Sequence, residues 1–90
     1  LRKAILMNIL NKIENTEYFG KTLRTPLRSS HCSVWVHRFT DFTVEVLNNG
    51  CETCPVIYKG NIVCRIDRDI FLNTIESKIQ NEFIQKMGGN

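Results

Sequence analysis

Val56-Ile57-Tyr58-Lys59-Gly60-Asn61-Ile62-Val63-Cys64-Arg65-Ile66 decides the fold of this chain. Two runs rich in β-branched residues, 56–58 and 62–66, flank Lys59-Gly60-Asn61, and glycine supplies the positive φ that a tight hairpin turn requires. The pattern predicts two antiparallel strands, with Ile62, Cys64 and Ile66 facing a core and Val63 and Arg65 facing outward. Immediately downstream the period changes from two to about 3.6 residues. Leu72, Ile75, Ile79, Phe83 and Met87 form one stripe, which predicts a helix over 68–87. Asp67 or Asp69 is placed to cap its first turn, Glu82 and Lys86 are four residues apart in the favourable order, and Gly88-Gly89 supplies a stop.

Upstream of the hairpin the alternation recurs. Over 42–47, Phe42, Val44 and Val46 alternate with Thr43 and Glu45, and Asn48-Asn49-Gly50 ends the strand. A further strand is predicted over 32–39, joined to it by a tight turn at Thr40-Asp41. Residues 17–31 show no period and contain Gly20 and Pro26, so they read as one long loop, and loops of that length are commonly functional. In residues 1–15, Leu6, Ile9, Leu10 and Ile13 make a helical stripe. The predicted class is α+β: a small antiparallel sheet of three or four strands with an N-terminal and a C-terminal amphipathic helix on one face. Ninety residues leave room for a single domain, 1–90, with one core.

Charge is unevenly distributed along the chain. Residues 1–40 carry seven Lys/Arg against Glu14 and Glu17, whereas residues 41–90 carry five basic and seven acidic residues. No carboxylate occurs from Tyr18 to Thr40. Such a cationic stretch attracts phosphates or acidic surfaces, so Lys21, Arg24, Arg28 and Arg38 are candidate binding residues; the alternative is a solvated loop that lacks acids. Thr25-Pro26, between Arg24 and Arg28, resembles a phosphorylation segment, and a phosphate there would add about −1.5 to −2 charge beside the two arginines and reverse an electrostatic attachment. No apolar run approaches the length of a membrane span, and there is neither a secretion signal nor an Asn-x-Ser/Thr site. An intracellular location, cytoplasmic or nuclear, is expected. The chain starts at Leu1, as expected of a domain excised from a longer protein.

Little in the sequence points to catalysis. Cys51-Glu52-Thr53-Cys54 has metal-ligand spacing, but a second pair is missing, and Cys32, Cys64, His31 or His37 would complete a zinc site only if the fold gathered them. Cys32 and Cys64 also fit the inward side of their strands. No paired-carboxylate, phosphate-loop or nucleophile-elbow pattern is present, so the expectation is a non-enzyme with no cofactor and no metal. Two registers compete at Trp35. In one, Val34 and Val36 face the helices and Trp35 and His37 form a docking patch on the open face. In the other, slipped by one residue, Trp35 is core.

Phe42-Thr43-Val44-Glu45-Val46, the 58–66 hairpin and the helix that follows, Phe71 to Phe83, together resemble the kinase-associated C-terminal domain of microtubule-affinity-regulating and AMP-activated-type kinases. The resemblance spans residues 42–83, and the leading helix fits the family's order; the basic loop and the Cys51/Cys54 turn have no counterpart in it. It implies a sheet backed by two helices, no catalysis, and binding of anionic phospholipid or of the protein's own kinase domain. The expected function is therefore a regulatory binding module docking through Lys21, Arg24, Arg28, Trp35, His37 and Arg38 to a protein partner or an anionic membrane. The competing readings are a single-stranded nucleic-acid binder using Trp35, Phe39 and His37 as a stacking platform, and a small zinc-stabilised domain.

Overall fold

The computed structural model describes residues 2–24, 33–47 and 51–88. In chain order they form α1 (Arg2–Asn15), β1 (Tyr18–Arg24), β2 (Val34–Phe39), β3 (Thr43–Leu47), β4 (Thr53–Tyr58), β5 (Asn61–Asp67) and α2 (Arg68–Gly88). The strands make one sheet in the order β1-β2-β3-β4-β5, every neighbouring pair antiparallel. The α+β class and the two flanking helices are as the sequence predicts, but the sheet has five strands.

The additional strand is β1, which occupies residues 18–24 of the stretch predicted as the 17–31 loop. Its pairing with β2 sets Tyr18 opposite Phe39 and Gly20 opposite Arg38, which leaves Phe19 as an extra residue in a bulge. Gly20 takes φ 101°, a conformation that favours glycine. The bulge shifts the alternation by one position, and the edge location leaves residues 21–24 exposed, so neither a period of two nor an apolar face marks the strand. Thr25, Arg28, Cys32 and Asn48-Asn49-Gly50 lie outside the described residues.

The β4–β5 hairpin closes through Lys59 (φ 50°) and Gly60 (φ 81°), two consecutive positive φ values as a type I′ turn requires. A second irregularity pairs Val56 with Cys64 but Ile57 with Ile62. Val63 is thus the unpaired residue, and the parity of the strand changes there. Cys64 and Ile66 face the core as predicted, whereas Ile62 is 58% exposed.

α2 begins at a cap supplied by Asp67, whose Oδ1 accepts the Ile70 N–H at 3.0 Å. The Arg68 N–H donates to the Glu52 carbonyl and fixes the helix start against the approach to β4. Its buried face is turned relative to the predicted stripe. Phe71 and Ile75 are buried and the Lys78 side chain is nearly so, a spacing of four and three residues, while Ile79 and Phe83 are exposed. Lys78 Nζ donates to the Glu14 carbonyl at 2.8 Å, placing a cation on the negative end of α1.

One core joins the layers. Ile13 of α1 and Phe71 and Ile75 of α2 pack on Phe39, Phe42, Val44, Val46, Cys54, Val56 and Ile66. Residues opposite one another on paired strands share a face. The register therefore puts Trp35 with Val46, His37 with Val44, and Val44 with Val56, all on the helix-covered side.

Candidate functional site: the open face of the sheet

The opposite face carries the remaining side chains of each strand and is covered by neither helix. Across the sheet, Arg24, Val34 and Leu47 form one row; Thr22, Val36 and Glu45 a second; Arg38, Thr43 and Ile57 a third. Pro55 and Arg65 are paired further along, with Thr53 and Asp67 at the end. Val34 is buried, and Val36, Leu47, Pro55 and Ile57 are half-buried, so an apolar band crosses the centre of the face. Three arginines stand around it. Arg24 Nη2 lies 3.1 Å from Glu45 Oε1, and Arg65 Nη1 donates to Thr53 Oγ1 at 3.5 Å. Arg38 is exposed and, among the described residues, makes no ion pair. Glu45 is engaged by Arg24 and Asp67 by the helix cap, so the charge this face offers to a partner is positive.

The predicted binding residues divide between the two faces. Arg24 and Arg38 lie on the open side. Lys21, Trp35 and His37 lie on the helix side, which corrects the placement of Trp35 and His37 on an open-face docking patch. Two observations explain that register. His37 is only 3% exposed, with its ring edge-on to Phe71 at 5.0 Å, and its Nδ1 lies 2.9 Å from the Tyr18 hydroxyl. A buried imidazole is tolerated here because a neighbouring strand supplies a hydrogen-bond partner. Trp35 packs at the margin of the core with the Lys21 ammonium 4.6 Å above its ring. Phe39 is also on this side, stacked on Phe42 at 4.7 Å. The three aromatic groups invoked as a nucleic-acid stacking platform are thus turned toward the helices. Arg65 and Glu45 were legible as outward-facing from strand alternation, but their convergence with Arg24 and Arg38 required the pairing register.

The three described cysteines differ in setting. Cys54 is buried on the core side of β4, Cys64 half-buried on β5 opposite Val56, and Cys51 exposed two residues before β4. Among the described residues no group of three or more His, Cys, Asp or Glu side chains is arranged to hold a metal ion. Burial raises the Cys54 and Cys64 thiols above their ordinary pKa, which disfavours the thiolate a metal needs. The expected result of unfolding the protein by heat in a strong chelator is an unchanged midpoint in circular dichroism. A collapse of structure on chelation, with one zinc per chain measured beforehand, would show instead a metal-dependent fold.

No protein-family model, curated protein or solved structure matches this chain. No helix among the described residues is long and apolar enough to cross a membrane.

Proposed function

We propose that this chain is a non-catalytic docking module whose open sheet face meets an anionic surface, either a phospholipid bilayer or the acidic face of a protein such as the parent kinase domain that the family resemblance implies. The observation that carries this reading is the apolar band of Val36, Leu47 and Ile57 ringed by Arg24, Arg38 and Arg65. Aliphatic area with arginine at its margin suits a macromolecular contact, because arginine pairs with carboxylate or phosphate through two parallel hydrogen bonds. The long-range attraction comes from the basic excess of the N-terminal half of the chain.

Co-sedimentation with phosphatidylserine vesicles at low and high salt tests the lipid version. Each basic residue close to an anionic bilayer contributes about 1 kcal/mol. Replacing Arg38 and Arg65 together by glutamine should therefore weaken binding roughly thirty-fold, and raising the salt should weaken it further. Binding that is absent, or indifferent to salt, removes the bilayer and leaves the acidic protein surface as the partner.

A further inference from the structure

Besides Phe19 and Leu23 on β1 and Ile70 on α2, the described residues present two apolar surfaces apart from the open face. The first is at the tip of the β4–β5 hairpin, where Tyr58 and Val63 are exposed. Beside them is a groove of about 400 Å³ lined by the apolar Ile9, Phe42, Val56, Tyr58 and Val63 together with Lys12 and Asp41. The Lys59 ammonium stands 5.3 Å from the ring of Tyr58, so among the described residues Lys12 in the groove and Lys59 beside it outnumber the one lining carboxylate, Asp41. The second surface is on α2. Described side chains from 79 to 84 are all exposed, and Ile79 (48%) and Phe83 (62%), four residues apart, form a stripe that the turn of the helix directs away from the core. Glu76 and Glu82 border that stripe on its two sides.

An apolar groove with an excess of cations and an amphipathic helix edged with carboxylates are complementary in shape class and in charge. We infer that they occupy one another between two copies of this chain: the Ile79–Phe83 stripe of each copy lies in the hairpin groove of the other, with Glu76 and Glu82 toward Lys12 and Lys59. This is the helix-in-groove mode of recognition. Because each chain offers one helix and one groove, a two-fold arrangement satisfies both contacts and closes as a dimer. The Lys78–Glu82 pair at 3.9 Å does not oppose it, since an ion pair between neighbouring helical positions with half-exposed glutamate is weak. The open sheet face takes no part, so the contact is independent of the docking function above.

Sedimentation equilibrium of the purified chain, from micromolar to millimolar concentration, is expected to show a monomer–dimer equilibrium that weakens as salt is added. Phe83→Asp on the helix and Val63→Asp in the groove should each give a folded monomer, with unchanged circular dichroism because both positions are exposed. The decisive step is to mix these two variants. The first keeps an intact groove and the second an intact helix, so the mixture should form a heterodimer through one remaining contact, weaker than the wild-type dimer yet absent from either variant alone. Lys12→Glu should weaken the dimer, and Glu82→Lys in the same chain should restore part of it. A chain that stays monomeric throughout, or folded variants whose mixture yields no heterodimer, would overturn the inference. Arg38→Gln and Arg65→Gln should leave the dimer unchanged; dimer loss in those variants counts against the assigned surface.

Discussion

Replacing Phe71 by alanine is expected to lower stability by about 3–5 kcal/mol, a large part of the total for a domain of this length. Phe71 is fully buried at the first inward turn of α2, and its ring is the point where the helix meets the sheet. It takes the edge of His37 at 5.0 Å and Phe39 at 6.3 Å, and it belongs to the same cluster as Ile13 from α1. Truncation therefore leaves a cavity bordered by a polar imidazole as well as by aliphatic groups, and close packing gives the surroundings little freedom to collapse into it. In thermal unfolding the midpoint should fall by more than about 15 °C, given the shallow melting entropy of a chain this small. Ile70→Ala, on the same helix but exposed and outside the inferred dimer contact, is the internal control and should cost less than about 1 kcal/mol. Equal losses in the two variants would mean that the buried face of α2 has been misassigned.

Only part of the α2 packing is written in its own sequence. The stripe from Leu72 to Met87 announces the helix, but Phe71 is one residue outside it, and a stripe gives periodicity without the direction in which the sheet lies. The sheet, reached through Asp67 and the Arg68–Glu52 backbone bond, turns Phe71, Ile75 and Lys78 inward and leaves Ile79 and Phe83 in solvent. The hairpin was legible because Gly60 and its flanking β-branched residues act locally. The strand 43–47 was legible because its two faces differ in polarity, with Val44 and Val46 inward. β1 was not, since an edge strand with one bulge buries too little to leave an apolar period. At Trp35 both faces of β2 carry apolar residues, so hydropathy cannot fix the register; pairing with Val46 does. The open face follows from the same pairing. Its arginines are 41 residues apart at the extremes, Arg24 and Arg65, and only the strand order brings them onto one surface.

Acidification from pH 6.5 to pH 4 is expected to remove about 2 kcal/mol of stability through His37 alone. Burial holds its imidazole down, and the Lys21 ammonium, directly across on β1, adds to the effect, so its pKa falls from the ordinary 6.5 to about 4. The Tyr18 hydroxyl, itself raised by burial and so retaining its proton, is placed to donate to Nδ1 of the neutral ring. In the folded chain His37 is thus neutral through this range, whereas in the unfolded chain it takes up a proton as soon as the pH drops below 6.5. The unfolded state binds more protons, and stability falls with pH across the window. Below about pH 4 both states are protonated and this contribution levels off. At about 1.4 kcal/mol per pH unit the whole window corresponds to roughly 3 kcal/mol. Screening and local relaxation around the protonated ring reduce it to about 2 kcal/mol. Carboxylates lose their own interactions over part of the same range, so the measurement has to be differential. His37→Gln keeps an acceptor for Tyr18 but does not titrate. Denaturant unfolding of both proteins at pH 7, 5.5 and 4 should show curves that converge as the pH falls, the variant losing about 2 kcal/mol less than the wild type. Parallel curves would mean that His37 is solvated enough to titrate normally, and that the Tyr18–His37–Phe71 contact is looser than its geometry shows.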